Sequence, residues 1–313
     1  MLLLQNKVLE IGLEYIGVII SHQERMSAAF REEVFSWHYG STALDLAEMW
    51  YDLQQGEYPG AYLTPKENSL KGFKMFMTAH FFLWTYPKNA GLTATWFRTA
   101  ARNCKGEPLW RWIRKIKALL PKKIFWDESL RDPQGSAFIG SIDDVDCKIW
   151  EKRAHHKMNL DKSFCSQKFM HAGLKYEIIM HLIKPKCMAV VGPNKAGEHD
   201  MNVFRKETKD KMLTMPGKML IADGIFKKGR KPEQQNEADM FAIPSSADPD
   251  ELCKFKSQAR AWHESFNGRL KFFSFLENGY RGVDIEKHGT AFKAICVIVQ
   301  YQMDNGSPIF ELN

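Results

Sequence analysis

Apolar and aromatic residues recur at helical spacing through the first 125 residues, then give way near residue 126 to short apolar runs alternating with helical patterns. That change is the mark of a helical region followed by a mixed α/β domain. The turn signals Asp132-Pro133 and Gly135 put the boundary within Trp126–Gly135, giving regions 1–125 and 126–313. In the first region Ser69–Trp84 reads as an apolar, aromatic helix broken at Tyr86-Pro87-Lys88-Asn89-Ala90-Gly91. A second helix, Leu92–Asn103, sets Thr95, Arg98 and Arg102 on one face, and a third, Glu107–Leu120, buries Leu109, Trp112, Ile113, Ile116 and Leu120. Arg111, Arg114 and Lys115 are expected to point outward from it. Residues 69–123 thus have a helix-turn-helix-like outline, which a three-helix packing unit with a solvated basic face shares.

The second region predicts strands at Ala137–Asp143 and Cys147–Trp150, a hairpin's length apart, then at Leu174–Ile183 and Cys187–Val191. A helix follows from about Asp200, which is placed to cap it, through Phe204 to Met212. Met219–Ala222 reads as a buried strand stopping at Asp223-Gly224. Long helices are expected over about Glu251–Leu276 and Thr290–Met303. The fold class is therefore α/β, a mixed sheet flanked by helices and preceded by an all-α region.

Charge sharpens this picture. The 313 residues carry a formal net charge of +7, but Lys88 to Lys123 holds ten basic residues against the single acid Glu107. Such a density suits a polyanionic partner. The six cysteines show no paired metal-ligand spacing, so free thiols in a reducing, intracellular setting are expected and zinc is not. The apolar opening Met1–Ile20 is interrupted by Gln5, Asn6, Lys7, Glu10 and Glu14, which argues against a signal peptide or membrane anchor.

Two strands that each end on an aspartate, if neighbours in one sheet, set Asp143 and Asp223 side by side. Carboxylates that close repel unless a cation lies between them, and a hard divalent ion, Mg²⁺ or Mn²⁺, suits such oxygen donors. The later helix offers a third acid. Its buried stripe is Ala259, Trp262, Phe266, Leu270 and Phe273, and the opposite stripe carries Arg260, Glu264, Asn267 and Lys271. Glu264 also has a plainer reading, an i, i+4 pair with Arg260. Asp200, after His199, is a fourth carboxylate, either a helix cap or a supporting metal or catalytic group. Three acids beside a basic helical region describe two-metal phosphoryl transfer.

Five blocks in order carry a resemblance. They are Ser141-Ile142-Asp143-Asp144-Val145-Asp146-Cys147; Ser166-Gln167-Lys168-Phe169 with Gly173-Leu174-Lys175-Tyr176-Glu177-Ile178; Gly197-Glu198-His199-Asp200 with Val203-Phe204-Arg205; Ile221-Ala222-Asp223-Gly224; and the run from Arg260 to Lys271. Over roughly residues 135 to 303 the chain resembles the endonuclease domain of PIF/Harbinger-type transposases. The resemblance implies a ribonuclease H-like fold with a DDE acidic triad acting on transposon-end DNA. Asp143 would be the first acid, Asp223 the strand-end aspartate and Glu264 the helical glutamate. Asp200 in the His-Asp motif competes with Asp223 for the second place, and the strand-end position favours Asp223. Asp144-Val145 stands where the family usually has Gly-Thr, and Ile225-Phe226 where it has Gly-Tyr.

The expectation is therefore a Mg²⁺- or Mn²⁺-dependent DNA endonuclease and strand-transfer enzyme. Arg98, Arg102, Arg111, Arg114, Lys115, Arg260 and Lys271 are its candidate DNA contacts. The resemblance further implies action in the nucleus on terminal inverted repeats and target sites, with a Myb-like partner protein or self-association. Lys227-Lys228-Gly229-Arg230-Lys231 reads as an import signal, a DNA-facing loop or a solvated turn. Two other readings stand beside it: a domesticated DNA-binding relative without nuclease activity, and hydrolysis of a small phosphorylated or RNA substrate on the same fold.

Overall fold

The computed structural model describes residues 1–87, 106–126, 137–150, 161–182, 184–227, 235–282 and 284–306. By packing the chain divides into two units, one formed by Met1–Lys123, Leu270–Asn278 and Glu286–Ser307, the other by Ile124–Arg269, Gly279–Ile285 and Pro308–Asn313. The last long helix therefore belongs with the N-terminal helices, where the sequence pattern alone groups it with the strands.

The first unit is helical: α1 (Leu2–Tyr15), α2 (Ala28–Tyr39), α3 (Ala43–Gln55), α4 (Leu70–Thr85) and α5 (Glu107–Ala118). Thr42 and Asp45 form a capping box at the start of α3, each side chain holding the other's backbone N–H. Trp50 of α3 stacks on Trp112 of α5 with ring centroids 5.8 Å apart. Asp52, also on α3, accepts from Tyr301 Oη at 2.5 Å and from Lys122 Nζ at 2.6 Å. The expected middle helix Leu92–Asn103 lies outside the described residues, so the helix-turn-helix outline is represented by its flanking helices alone.

The second unit is built on a six-stranded mixed sheet. Strand β1 (Phe138–Lys148) pairs antiparallel with β3 (His171–His181), and β3 pairs antiparallel with both β4 (Cys187–Lys195) and the short β2 (Cys165–Ser166). On its other side β1 pairs parallel with β5 (Met219–Ile221), which pairs parallel with β6 (Phe241–Ala242). Helix α6 (Asp200–Leu213) joins β4 to β5, and α7 (Asp250–Phe272) follows β6. Helix α8 (Ile285–Asp304) ends the described chain. A parallel return from β4 to β5 by way of α6 needs a crossover of this kind. The α/β class expected from the sequence is thus present. Among the described residues no helix is long and apolar enough to cross a membrane.

A bulge in β1 decides which side chains face which helix. Phe138 pairs with Met219 but Gly140 with Leu220, so one extra residue is inserted in β1. Phe138 and Ser141, three apart, consequently share a face. A Cβ on Gly140 would meet the Met180 carbonyl oxygen at 2.7 Å and Met188 Cε at 2.8 Å, so the bulge requires glycine. On the α6 face Ile139, Ile142, Ile179, Leu220 and Ala222 pack with Met201, Phe204 and Met212. Opposite, Phe138, Met219, Ile221 and Ala242 pack with Phe255 and Ala259 of α7.

Two expectations are corrected. The strands read separately at Ala137–Asp143 and Cys147–Trp150 are one strand of 11 residues, so β1 does not stop at Asp143. The acids at 143, 144 and 146 interrupt the apolar run without interrupting the ladder, because β3 supplies partners along the whole length. Asp200 does not cap α6 either. His199 does, its Nδ1 accepting from Met201 N at 3.2 Å.

Candidate active site

The parallel register of β1 and β5 sets Ser141 opposite Ile221. Two residues further along each chain, Asp143 and Asp223 follow on the same face. That face lies under α7. His263 Nδ1 is 3.0 Å from Ser141 Oγ, and Asn267 Nδ2 donates to Asp143 Oδ2 at 3.1 Å. Burial pushes the Asp143 carboxyl above its ordinary range. Lys168 and Arg260 oppose this, and the charge of Asp223 adds to it. The effect of Asp223 on Asp143 is that of a like charge nearby. Asp223 also shapes its own turn, Oδ1 accepting from Ile225 N at 2.9 Å. Fully buried, His263 is held neutral, its pKa pushed down to about 3 by desolvation.

Glu264 is exposed on α7, one turn after Arg260 and three residues before Asn267. Of these, Asn267, which is buried, bonds Asp143, and Arg260 acts on it. The structure brings Asp143 and Asp223 together. It does not draw Glu264 into a closed group with them: among the described residues no three His, Cys, Asp or Glu side chains converge to hold a metal ion.

Asp200 is not part of this pair; it bonds Lys175 instead. Successive strand residues face opposite ways, so Asp144 and Asp146 point toward α6, where Glu177 and Lys175 oppose them across β3. Asp200, in the first turn of α6, enters that second cluster. Lys175 Nζ bonds Asp200 Oδ1, donates to the Glu198 carbonyl at 2.8 Å and lies 3.8 Å from Asp144 Oδ2. Burial, together with the charges of Asp200 and Glu177, pushes Asp144 well above the usual carboxylate range. Burial also raises Asp200, but its hydrogen bond with Asp144 and the Lys175 ammonium outweigh that and hold it low. Within this pair Asp144 is displaced upward and Asp200 downward. Glu177, accepting from Thr208 Oγ1, is pushed up to about 8, chiefly by burial. Here Lys175 is the internal counter-cation, which meets the need of buried acids for a partner.

The candidate DNA contacts divide. Arg111 and Arg114 are exposed on α5, Arg114 paired with Glu107. Arg260 and Lys271 are exposed on α7. Lys115 is a correction: it is 8% exposed, its Nζ donating to the Tyr62 carbonyl at 2.6 Å and lying 3.2 Å from Glu67 Oε2. Helical spacing puts Lys115 beside the buried stripe, and its long stem carries the charge to partners across the core edge. Arg98, Arg102 and Lys228–Lys231 lie outside the described residues.

Sequence reasoning missed Lys168, whose Nζ reaches the Asp144 carbonyl from the β2–β3 pair, and the Lys175 cluster, which depends on the β1–β3 register. The available signal was the Ser166-Gln167-Lys168-Phe169 block. No protein-family model, curated protein or solved structure matches the chain.

Proposed function

We propose that the chain is a divalent-metal-dependent DNA endonuclease of the DDE transposase kind, related to the PIF/Harbinger-type enzymes its sequence blocks resemble. The observation that carries the reading is Asp143 beside Asp223 at the ends of the parallel β1–β5 pair, beneath a helix whose Asn267 bonds Asp143 and whose Arg260 acts on it. The strand order β4-β3-β1-β5-β6, antiparallel on one side of β1 and parallel on the other, supports a ribonuclease H-like fold.

Two adjacent carboxylates, one raised by burial and further by the charge of the other, fit a hard cation by donor chemistry. Asp143 and Asp223 would hold Mg²⁺ or Mn²⁺, which keeps waters and takes substrate phosphate as its further ligands. When bound, the ion supplies activation of a water or 3′-hydroxyl and stabilisation of the leaving oxygen. The protein's own part is positioning. Asn267 fixes one oxygen of Asp143, and the neutral His263 ties Ser141, two residues earlier, to the same helix. Glu264 is the third acid of this reading. Arg260 brings positive charge for a phosphate backbone, with Arg111, Arg114 and Lys271 as further DNA contacts. Action in the nucleus, on transposon ends and beside a Myb-like partner, belongs to the same proposal.

The test is Mn²⁺-dependent nicking of supercoiled plasmid by the full chain, Asp143→Ala and Asp223→Ala. Nicking by the parent and its loss in each variant are expected. DNA binding without nicking by the parent would favour the domesticated DNA-binding reading instead.

A further inference from the structure

Between β2 and β3 the chain makes a tight turn that is fastened at several points to β1. Ser166, fully buried, donates through Oγ to Asp146 Oδ2 and accepts at the same oxygen from Lys168 N at 3.1 Å. Met170 N closes the turn on the Ser166 carbonyl at 2.9 Å, with Met170 in the left-handed region at φ 51°. A non-glycine residue holds such a conformation only where its surroundings enforce it. Phe169 lies against β1 as well, with Lys148 Nζ 5.5 Å from its ring centroid. The product of these fastenings is one exposed lysine whose ammonium sits at a fixed place: Lys168 Nζ donates to the Asp144 carbonyl at 2.8 Å. One of its three donors is so occupied.

We infer that Lys168 is a substrate-phosphate contact of the Asp143–Asp223 centre, delivered there by the Ser166–Met170 turn. This rests on the reading of that pair as the reacting centre. Lys168 and Arg260 come from different elements, the hairpin turn and α7: Lys168 Nζ sits on the carbonyl of the residue that follows Asp143, and Arg260 lies on the helix whose Asn267 bonds Asp143. A phosphodiester approaching the aspartates meets a cation from each, and the Lys168 ammonium retains two donors for its non-bridging oxygens. Anchored at 2.8 Å to a backbone carbonyl rather than to a carboxylate, its charge stays available to an anion. An ammonium placed as a point charge is an established way to bind phosphate.

The test uses the full chain and a fluorescein-labelled 30-base-pair duplex in EDTA, with affinity followed by anisotropy over a salt series. Lys168→Met is expected to weaken binding and reduce the slope of log affinity against log salt by about 0.9, the value of one phosphate contact, while Lys168→Arg restores it. Ser166→Ala, which keeps the ammonium but frees the turn, is expected to weaken binding in the same direction. In Mn²⁺ plasmid nicking, Lys168→Met should raise KM more than it lowers kcat. Unchanged affinity, slope and KM in a Lys168→Met protein with a parental circular dichroism spectrum would overturn the inference. The reading of the aspartate pair is judged separately, by nicking in Asp143→Ala, so either can fail alone.

Discussion

Asp143 and Asp144 are consecutive on β1 but belong to different chemistry. Asp143 accepts from Asn267 at 3.1 Å beneath α7, whereas Asp144, 2% exposed, lies beneath α6 with Lys175 Nζ at 3.8 Å. The pleat alone separates them. One acid faces a helix that also carries the exposed Arg260; the other is sealed with its own cation. The two should therefore respond oppositely to substitution.

Replacing Asp144 with Asn preserves the shape and the donor of a protonated acid and should cost less than about 1 kcal/mol, with nicking retained. Lys175→Met strands Asp200 without its cation and should cost about 3–5 kcal/mol, the usual penalty for breaking a buried pair. Urea unfolding of the two variants checks the contrast.

The same cluster makes stability depend on pH. Glu177 in the folded chain is pushed up to about 8 from an ordinary value of 4.5, and Asp144 is displaced in the same direction. Between those limits the folded state holds a proton that the unfolded state has released, so the contribution of Glu177 to stability is full below about pH 4.5 and falls as pH rises toward 8. Asp200, Glu207 and Lys211 surround Glu177 and shape the profile. Glu177→Gln should flatten the decline when urea midpoints are compared between pH 5 and 9.

Lys115 and Arg111 lie four residues apart on α5 and should separate stability from binding. Lys115→Gln loses the Tyr62 carbonyl and the Glu67 partner and should lower the urea midpoint, leaving the salt dependence of DNA binding alone. Arg111→Gln should leave the midpoint alone and flatten the salt dependence.

Gly140→Ala tests the bulge that sorts β1 between its two helices. The added methyl meets a backbone carbonyl at 2.7 Å, which cannot move aside as a side chain can. A cost of about 1–3 kcal/mol in urea unfolding is expected, in the range of overpacked cores.

What the sequence made legible follows from where its signals are local. The helices α4, α5 and α6 and the strand at Met219 are visible from apolar spacing, and exposed Arg260, Glu264 and Lys271 are separated from buried Ala259, Trp262 and Phe266, whereas Asn267, expected on the polar stripe, is buried against Asp143. Asp143 and Asp223 could be named because each follows an apolar run. The destination of Asp200 was not legible, since it depends on Lys175 arriving from β3 in a register fixed by long-range pairing. The inward turn of Lys115 was hidden for a like reason: its partners, Tyr62 and Glu67, lie about fifty residues away in a loop. Lys168 stood in a quoted block but had no reason to be singled out until the β2–β3 turn was seen fastened to Asp146.

The most direct test of the central claim is Mn²⁺ binding measured by electron paramagnetic resonance on the parent chain, Asp143→Asn, Asp223→Asn and Asp200→Asn. Binding by the parent that is lost in the first two and kept in the third is the predicted result. Binding kept in Asp143→Asn and Asp223→Asn, or lost only in Asp200→Asn, would contradict the assignment of the paired strand aspartates as the metal-holding centre.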